Sequence, residues 1–396
     1  MKSVWQTKPL GDVCKTGSGG TPLKSKNEFY ESGTIPWLMS GEVSQGEVHE
    51  ATRFITKKGL ENSSARIFPV NTVLVAMYGA TAGQVGILKF EASTNQAVCG
   101  ILPNEQFIPE FLYYLFLSKK DELISQATGN AQPNISQIKI KNTHVPIINL
   151  NEQQLIVAIL DQAFEGIAKA RANAEQNLQN ARALFQSHLQ WVFTQRGDEW
   201  VQKRLDELGT ITSSKRIFKN EYVSTGVPFY RTKEIKELAN GKEISTELYI
   251  SRARYEDIKR NYGIPLQGDI LLTAIGTIGE IYVVENDTEF YFKDGNVLWL
   301  KDFDAVNPSF LKYALISFVA TLNNMAQGSA YNALPIHKLN SHKIYVPLTV
   351  EQIEIVNILN KLKSETQRLE AFYQRKIECL DDLKKSLLQQ AFAGEL

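Results

Sequence analysis

The sequence predicts an α+β protein in which two pseudo-symmetric domains of mixed strands and short helices are separated by two long antiparallel helices that form a coiled-coil-like spacer. Three observations lead to this prediction. The two halves of the chain repeat one another, each half opens with short strand-forming runs, and each half closes with a long stretch of helical periodicity.

The repeat runs through the whole chain and is not confined to one helix. The segment NEQQLIVAIL at Asn151 returns as VEQIEIVNIL at Val350, and PEFLYYLFLS at Pro109 returns as PSFLKYALIS at Pro308. Earlier in each half, TIPWLMSGEV is matched by GVPFYRTKEI. About six such blocks keep the same order, so we interpret the chain as two copies of one module.

Each copy begins with β-branched and aromatic runs that Gly, Asn and Pro interrupt, which indicates short strands and turns. A short helix is expected near Glu110–Leu123 and again near Ser309–Asn323. An extended piece containing Val-Pro then leads into the long helix. These patterns predict domains at 1–150 and 196–349 and long helices at 151–195 and 350–396.

Each long helix carries a single apolar stripe. Apolar residues recur in steps of three or four from Ile156 to Leu189 and again from Ile355 to Ala391. At about 1.5 Å per residue, each helix would be a rod of roughly 60 Å, too long for an ordinary packed helix. The pattern favours pairing of the two helices, which would hold two globular heads apart or present a face to a partner. A long helix folded back on its own domain is the alternative.

The composition excludes several classes of protein. The 396 residues are 43% hydrophobic and 22% charged, which suits a soluble globular protein. No apolar run approaches the roughly 18 residues of a membrane span, and the start has no apolar signal segment. Three distant cysteines fit a reducing cytoplasm. The formal net charge of zero counts against a simple polybasic binder. We therefore expect a cytoplasmic protein without membrane contact.

Motifs for catalysis are not found in the sequence. It lacks the phosphate-binding GxxxxGK[ST], the zinc motif HExxH, the nucleophile motif GxSxG and any CxxC pair. The five histidines have no spacing typical of metal ligands. The two copies differ most in their polar residues, and two similar scaffolds with different polar faces suit the recognition of two different things.

Several specific strings carry a family resemblance. They are GSGGTPLKSKNEFYESGTIPWL (Gly17–Leu38), LVAMYGATAGQVGIL, STNQAV (Ser93–Val98), NEQQLIVAILD and the final LLQQAFAGEL (Leu387–Leu396). With these strings and the repeat, the chain resembles the specificity (S) subunit of type I restriction–modification systems over essentially its whole length. The second half departs from the pattern, because TSSKRIFKNEYVSTGVPFY lacks Gly-Gly-Thr-Pro. Contacts known for the family are therefore less transferable to this half.

The resemblance implies a non-catalytic subunit that recognises double-stranded DNA, with each domain reading a few base pairs of an asymmetric two-part target. The paired helices would fix the unspecified gap between the two parts. Two methyltransferase (M) subunits that carry S-adenosylmethionine would dock on the helical regions. Restriction (R) subunits would add the ATP- and Mg-dependent activities. No cofactor is expected in this chain itself.

Candidate contact residues follow from the chemistry of DNA. Base edges need side-chain donors and acceptors, and phosphates need cations, hydroxyls or backbone N–H groups. The first-half candidates are Ser18, Gly19, Gly20, Thr21, Lys24, Lys26, Ser40, Glu42, Tyr78, Asn95, Gln96, Gln132 and Asn134. The second-half candidates are Lys215, Arg216, Lys219, Arg231, Lys233, Arg252, Arg254, Tyr331 and Asn332. The structural alternatives are a plain turn for GSGGT, a core aromatic for Tyr78 and a solvated face for the basic residues.

Two other classes of function stay open at this point. One is an enzyme with two degenerate catalytic heads, which would need a shared polar cluster at matching positions. The matching positions are glycines instead, such as Gly79 and Gly276. The other is a protein-binding scaffold with two heads and no DNA readout, and a basic face on each head would discriminate DNA recognition from this scaffold.

Overall fold

The computed structural model describes residues 5–126, 134–195, 197–319, 322 and 334–396. The chain divides into two compact units. Unit 1 consists of Met1–Glu175 and Gln374–Leu396, and unit 2 consists of Gln176–Tyr373. Because the division falls inside both long helices, each unit contains a part of each of them.

The described residues of the first half contain eleven strands and six helices. The strands are β1 (Thr7–Pro9), β2 (Thr16–Ser18), β3 (Ile35–Leu38), β4 (Glu47–Val48), β5 (Phe54–Ile55), β6 (Ile67–Phe68), β7 (Val73–Ala76), β8 (Val85–Leu88), β9 (Ala92–Thr94), β10 (Val98–Ile101) and β11 (His144–Pro146). The helices are α1 (Leu10–Val13), α2 (Lys57–Glu61), α3 (Pro109–Ser118), α4 (Lys120–Ser125), α5 (Gln137–Asn142) and the long α6 (Leu150–Thr194). Short 3-10 helices cover Asn27–Phe29, Ser40–Gln45 and Gly79–Thr81.

The second half follows the same plan in its described residues. The strands are β12 (Val201–Arg204), β13 (Thr210–Ser213), β14 (Tyr222–Val223), β15 (Val227–Tyr230), β16 (Tyr249–Ile250), β17 (Ile270–Thr273), β18 (Ile281–Val283), β19 (Tyr291–Phe292), β20 (Val297–Lys301) and β21 (Lys343–Val346). The helices are α7 (Leu205–Leu208), α8 (Thr232–Ala239), α9 (Arg252–Asn261), α10 (Pro308–Ser317), α11 (Ile336–Asn340) and the long α12 (Thr349–Phe392), with a 3-10 helix at Lys219–Glu221.

The sheets of the two units correspond in most of their strands, although β4 and β6 of unit 1 have no counterpart at the same place among the described strands of unit 2. Unit 1 has a larger sheet in the order β2-β10-β7-β8-β4, a four-stranded sheet β5-β3-β9-β6 and a ribbon β1-β11. Unit 2 has β13-β20-β17-β18, β14-β16-β15-β19 and the ribbon β12-β21. In both units the second of these sheets contains a parallel pair, β3 with β9 and β15 with β19. The predicted pseudo-symmetric α+β fold is thereby confirmed.

Strand β7 shows why each unit needs more than one sheet. All four of its residues are buried. Val73 and Val75 belong to the core under α3, whereas Leu74 and Ala76 belong to a second core that includes Leu38. Because successive side chains of a strand point to opposite faces, a sheet covered on both faces reads as a continuous apolar run. Strand β17 divides its residues between two cores in the same way.

The two long helices run antiparallel within unit 1. Leu160 of α6 and Ala391 of α12 are fully buried in one core. Further along α6, Arg171 pairs with Asp381, which lies earlier in α12. The residue numbers of the two helices change in opposite senses along the contact, as the antiparallel prediction requires.

Unit 2 shows the same arrangement with the roles of the helices exchanged. Leu359 of α12 and Leu189 of α6 are fully buried in one core. Arg182 of α6 pairs with Glu370 of α12 at 3.2 Å. Each unit therefore packs the beginning of one long helix against the end of the other.

A buried glutamine ties the start of each long helix to its unit. In unit 1, Oε1 of Gln153 accepts a hydrogen bond from the N–H of Ile108 at 2.9 Å, and its Nε2 donates to two backbone carbonyls. In unit 2, Oε1 of Gln352 accepts from the N–H of Asn307 at 2.7 Å, and its Nε2 again donates to two carbonyls. Both amides are fully buried and have partners for both ends, as buried polar groups require.

Some local expectations were wrong. The helix expected near Glu110–Leu123 is two helices, because α3 ends at Ser118 and α4 begins at Lys120. Ile159 and Leu369, which the spacing places on the apolar stripes, are 37% and 38% exposed. Steps of three and four drift around a helix of 3.6 residues per turn, so a long stripe loses some of its members to solvent.

Candidate nucleic-acid interface

The first polar loop of unit 1 follows β2 and is fixed by backbone contacts. The N–H of Gly19 donates to the carbonyl of Val98 at 3.1 Å, and the N–H of Gly20 donates to the carbonyl of Thr94 at 2.9 Å. Both glycines are buried, and a Cβ on Gly20 would overlap the backbone of Ala65. This close approach explains the need for glycine. Direct contact of these glycines with DNA stays a prediction.

Polar side chains flank this loop. Oγ of Ser18 donates to Oε1 of Gln137 at 3.1 Å. The hydroxyl of Thr21 donates to Oε1 of the exposed Gln96. Asn95 is buried, and its Oδ1 accepts from a backbone N–H of its own turn at 3.2 Å. The structure thus brings Thr21 and Gln96 together, and it uses the side chain of Asn95 to shape the turn.

A cleft of about 540 Å³ lies between this loop and strands β3 and β5. Its lining includes Lys24, Tyr30, Trp37, Met39, Arg53 and Phe54. Trp37 is 2% exposed and its Nε1 donates to the carbonyl of Gly20 at 2.9 Å, so the base of the cleft is fixed to the loop. Lys24 is one of the predicted contact residues. Arg53 is not, because a single arginine between Thr52 and Phe54 gives no local signal.

The acidic candidate Glu42 is occupied by its own loop. Its carboxylate accepts hydrogen bonds from the N–H of Met39 at 2.7 Å and from the N–H of Thr52 at 2.9 Å. Ser40 is half-buried at the start of the 3-10 helix beside it. Glu42 therefore holds the segment that carries Met39 and Arg53 to the cleft, and a direct role in DNA contact stays a prediction.

The other first-half candidates lie apart from this loop or at its edge. Tyr78 is 38% exposed and forms an antiparallel bridge with the exposed Asn134, so it is not a fully buried core aromatic. Nζ of Lys26 lies 5.1 Å from the ring centroid of Phe29. Three predicted contact residues lie outside the described part of the chain: Gln132, Tyr331 and Asn332.

Most of the basic candidates in unit 2 have an acidic partner. The ion pairs are Arg216–Asp294 at 2.7 Å, Arg231–Glu234 at 2.8 Å, Lys233–Glu247 at 3.1 Å, Arg252–Glu289 at 2.5 Å and Arg254–Glu221 at 2.8 Å. These partners reduce the positive potential that attracts a phosphate backbone. Contact of these residues with DNA stays a prediction.

The most buried of these acids is Glu234, whose side chain is 1% exposed. Burial opposes its ionisation, but the hydrogen bonds from Arg231 outweigh burial, so the pKa of Glu234 is lowered. Arg231 also donates to Glu247 at 2.8 Å, and hydrogen bonds to both carboxylates raise the pKa of Arg231. The group therefore remains ionised at neutral pH and holds Arg231 in one orientation.

Two exposed lysines of unit 2 have no ion pair described above. One lies over an aromatic ring and the other lines a cleft. Nζ of Lys215 is 4.8 Å from the ring centroid of Tyr262. Lys219 lines a cleft of about 580 Å³ together with Tyr222, Arg231 and Lys293. Lys293 is a further residue that the sequence did not single out.

The clefts of the two units occupy equivalent positions. In unit 1 the carbonyl of Arg53 accepts from the N–H of Trp37 at 2.8 Å, and in unit 2 the carbonyl of Leu248 accepts from the N–H of Phe229 at 2.9 Å. All four residues belong to the paired strands or flank them, and a tyrosine and a lysine line each cleft. The frame of the site is the same in the two units, whereas its polar side chains are not.

The described residues were also compared with the requirements of a metal site and of a membrane-spanning helix. No group of three or more His, Cys, Asp or Glu side chains in these ranges is placed to hold a metal ion. None of the helices found in the described part of the chain has the length and apolar character that a membrane span needs.

The fold and the clefts define a duplicated α+β protein that presents two different polar surfaces on one repeated frame. The type I restriction modification DNA specificity domain family matches residues 2–176 and 197–378. This chain belongs to that family, and the resemblance drawn from its sequence is confirmed.

The chain is also similar to individual specificity subunits of type I restriction enzymes. The chain is 26% identical over 420 residues to the MjaIX type I restriction enzyme specificity subunit of Methanocaldococcus jannaschii, covering 99% of this chain and 93% of the relative. It is 31% identical over 163 residues to the EcoR124I/EcoR124II specificity subunit of Escherichia coli, a match that spans 40% of each protein. These relatives favour recognition of DNA over a protein scaffold without DNA readout.

Solved structures show the same fold. A chain from a structural study of complex assembly and conformational transition of the type I R-M system has a TM-score of 0.80 at 20% identity, covering 99% of this chain and 98% of that chain. The HsdS subunit from Thermoanaerobacter tengcongensis has a TM-score of 0.65 at 19% identity, covering 100% and 98%. At this identity the likeness concerns the fold alone.

Proposed function

We propose that this chain is the sequence-recognition subunit of a type I restriction–modification complex and that each of its domains reads one half of an asymmetric, two-part DNA target. The domains at 1–150 and 196–349 would read the DNA, and the helices at 151–195 and 350–396 would set the gap. One observation carries the proposal: equivalent clefts on one repeated frame have different polar side chains. A duplicated frame with divergent surfaces suits two different half-sites.

A tandem repeat solves a problem that a symmetric dimer cannot solve. A two-fold symmetric dimer presents the same surface twice and therefore favours a palindromic target. Two units in one chain keep the shared frame and can change one surface without the other. Unit 1 and unit 2 have done so, because Met39 lines the first cleft whereas Arg231 lines the second.

Partners would supply the chemistry of the complex. Two methyltransferase (M) subunits with S-adenosylmethionine would dock on the helical regions, and restriction (R) subunits would add the ATP- and Mg-dependent activities. The buried ties of Gln153 and Gln352 support two copies of one partner, because they give both long helices the same fixed start. This chain would carry no catalytic residue and no cofactor, and the complex would act in the cytoplasm.

The charges around the first cleft support contact with the DNA backbone. Lys24 and Arg53 line the cleft, Lys26 lies in the same loop as Lys24, and Arg66 lies beside Gly17. All four are exposed and form no ion pair with an acidic side chain within the described ranges. Cations of this kind bind phosphates and release counterions, so the affinity should fall steeply as salt rises. These four residues would position the duplex, while base edges would be read by other side chains.

Selection from random duplex DNA tests the proposal. The full chain, purified with the methyltransferase encoded beside it, should enrich a two-part motif with a fixed gap. Replacing residues 1–150 with those of another family member should change one half of the motif only. The matched replacement of residues 196–349 should change the other half only. An assembled complex that enriches no motif would contradict DNA reading and support the protein scaffold instead.

A further inference from the structure

In each unit one side-chain pair joins two loops. The first loop follows β2 in unit 1 and β13 in unit 2, and the second loop follows β9 in unit 1 and β19 in unit 2. In unit 1 the hydroxyl of Thr21 donates to Oε1 of Gln96. In unit 2 Nε of Arg216 donates to Oδ2 of Asp294 at 2.7 Å. We call these the Thr21–Gln96 brace and the Arg216–Asp294 brace.

Strand pairing shows that the first members of the two braces are equivalent. Strand β2 ends at Ser18 opposite Cys99, and strand β13 ends at Ser213 opposite Leu298. The brace residue lies at the same separation beyond each strand, at position 21 in unit 1 and position 216 in unit 2. The two loops thus leave corresponding strands at corresponding residues.

Backbone hydrogen bonds show that the second members are equivalent as well. The N–H of Asn95 donates to the carbonyl of Leu38, and the N–H of Lys293 donates to the carbonyl of Tyr230, both at 2.8 Å. The next residue along the chain is Gln96 in unit 1 and Asp294 in unit 2. The braces therefore occupy one place in the repeated frame, but one is neutral and the other is ionic.

The ionic brace orients a side chain that reaches into solvent. The Arg216 side chain is 66% exposed, whereas that of Asp294 is 10% exposed. A guanidinium has five N–H donors in a planar fork, and the bond to Asp294 uses only the Nε donor. The carboxylate thus restrains the guanidinium at Nε, and the outer donors remain for a ligand.

The neutral brace does the same with an amide. The Thr21 hydroxyl occupies one lone pair of Gln96 Oε1. One lone pair of that oxygen and both Nε2 donors then remain, since a glutamine amide has two acceptor sites and two donors. An amide can pair with N6 and N7 of adenine, and an arginine fork can pair with O6 and N7 of guanine.

We propose that the two braces are base-reading elements of the two domains: Arg216, held by Asp294, reads a guanine in one half of the target, and Gln96, held by Thr21, reads an adenine in the other half. The inference rests on the proposed function and adds the residues and bases through which it acts. Phosphates can be held by charge alone, but base edges require donors in a fixed orientation. A guanidinium oriented by a nearly buried carboxylate, which Lys293 also approaches at 3.6 Å, suits the second task better than the first.

Substitution of Arg216 is the main test. The full chain with its methyltransferase is used for selection and for titration against duplexes that differ at single positions. Arg216→Lys keeps the charge and removes the fork, and Arg216→Gln removes both. Each should lower the preference for one guanine by about tenfold or more and leave the other half of the motif unchanged. Gln96→Ala should lower the preference for one adenine in the opposite half.

Asp294→Ala, which removes both the charge and the acceptor, separates base reading from phosphate binding. Loss of the carboxylate raises the net positive charge, so binding to random duplex DNA should strengthen. The guanine preference should weaken at the same time, because the guanidinium is no longer held. A variant that binds all sequences more tightly with an unchanged motif would mean that Arg216 contacts phosphate, and it would overturn the proposal.

A matched control is available in the same unit. Arg204 forms a surface pair with Asp206 at 2.5 Å and lies in the ribbon strand β12, not in the brace loops. Arg204→Gln should leave every position of the motif unchanged. If Arg216→Lys weakens binding uniformly and the motif survives intact, base reading by this residue is wrong while DNA recognition by the chain stands. A wild-type complex that selects no motif would overturn both.

Discussion

Unit 1 and unit 2 share nearly the same buried framework of strands and helices, but their exposed loops carry different polar side chains. Gln153 and Gln352 lie in similar segments of the repeat and make matching sets of buried hydrogen bonds. The Thr21–Gln96 brace and the Arg216–Asp294 brace share a position but share no chemistry. Burial constrains the first kind of residue in both units alike, because an unpaired buried amide is costly. The brace residues lie in exposed loops, so their chemistry can differ between the units according to the ligand that each unit binds.

The charges make the same point. The loops around the first cleft carry cations such as Lys24 and Arg53 without an ion-pair partner in the described ranges. Unit 2 holds Lys233 and Arg252 in exposed ion pairs. Exposed pairs of this sort contribute at most about 1 kcal/mol, so exchanging a carboxylate for a phosphate would cost little. These cations of the two units therefore differ in whether a carboxylate offsets their charge. This difference does not require a different backbone framework.

The largest expected effect tests whether the frame is equivalent in energy as well as in geometry. Leu160 and Leu359 are both fully buried where a long helix packs on its unit. Leu160→Ala and Leu359→Ala should each lower the stability of their own unit by about 3 kcal/mol, through lost burial and a residual cavity. Hydrogen exchange of β7 and β17 measures the two effects separately, since exchange reports local opening.

Leu155→Ala provides the control, because this leucine lies on the same helix and is 61% exposed. It should change the exchange of β7 by less than about 0.5 kcal/mol. If Leu160→Ala and Leu359→Ala differ from each other by more than either differs from the control, the two cores are alike in topology but not in energy. The frame would then have diverged together with the edges.

The frame was largely predictable from the sequence, and the reason is that its signals are local. The repeat gave the correspondence of the halves, and the periodicity from Ile156 and from Ile355 predicted the long helices. The buried amides were not predicted. Gln153 accepts a hydrogen bond from the N–H of Ile108, and no sequence pattern within either segment predicts that contact.

The candidate site was predictable only as a set of residue types. Arg252 and Arg254 were picked as bare cations, yet their acidic partners Glu289 and Glu221 come from other segments of the chain. Gly19 and Gly20 were picked as a polar loop, but their backbone is buried against other segments. Contacts of this kind depend on the tertiary fold, so charge and composition alone could not reveal them.

Transplanting a brace should sharpen the comparison of the two edges. Thr21→Arg together with Gln96→Asp moves the ionic brace into unit 1. Because the two braces occupy corresponding positions in their units, the double variant should replace the adenine preference in one half of the target with a guanine preference worth about 1 to 3 kcal/mol. Selection from random duplex DNA measures the change, and the half read by unit 2 should stay the same.

The single variants are the controls for this experiment. Thr21→Arg alone lacks its carboxylate and should give a weaker preference, and Gln96→Asp alone should remove the adenine preference without replacing it. A double variant that behaves as the sum of the single variants would contradict the idea that each brace acts as one element. Retention of the original adenine would place base reading in unit 1 on other residues.

The smallest expected effect is a pH dependence that belongs to unit 2 alone. Asp269 precedes β17 and is 8% exposed, and its Oδ2 accepts hydrogen bonds from the N–H of Leu266 at 2.9 Å and from Nε1 of Trp299 at 2.8 Å. The equivalent residue before β7 is Thr72, which does not titrate. Burial outweighs the hydrogen bonds and raises the pKa of Asp269.

A raised pKa means that folded unit 2 binds this proton more tightly than the unfolded chain does. The stability gained in this way is complete below the ordinary aspartate pKa of about 3.9 and is lost as the pH rises through the higher pKa of the folded state.

Asp269→Asn keeps an acceptor for both donors and removes the titration. From about pH 3 to pH 7, the exchange stability of β17 in the wild type should therefore fall relative to that of the variant. The stability of β7 should show no such difference, and the exposed control Asp287→Asn should follow the wild type. A difference between the wild type and Asp269→Asn that stays constant over this range would mean that the two cores respond to pH alike, and that the polar exchange of Thr72 for Asp269 concerns hydrogen bonding and not charge.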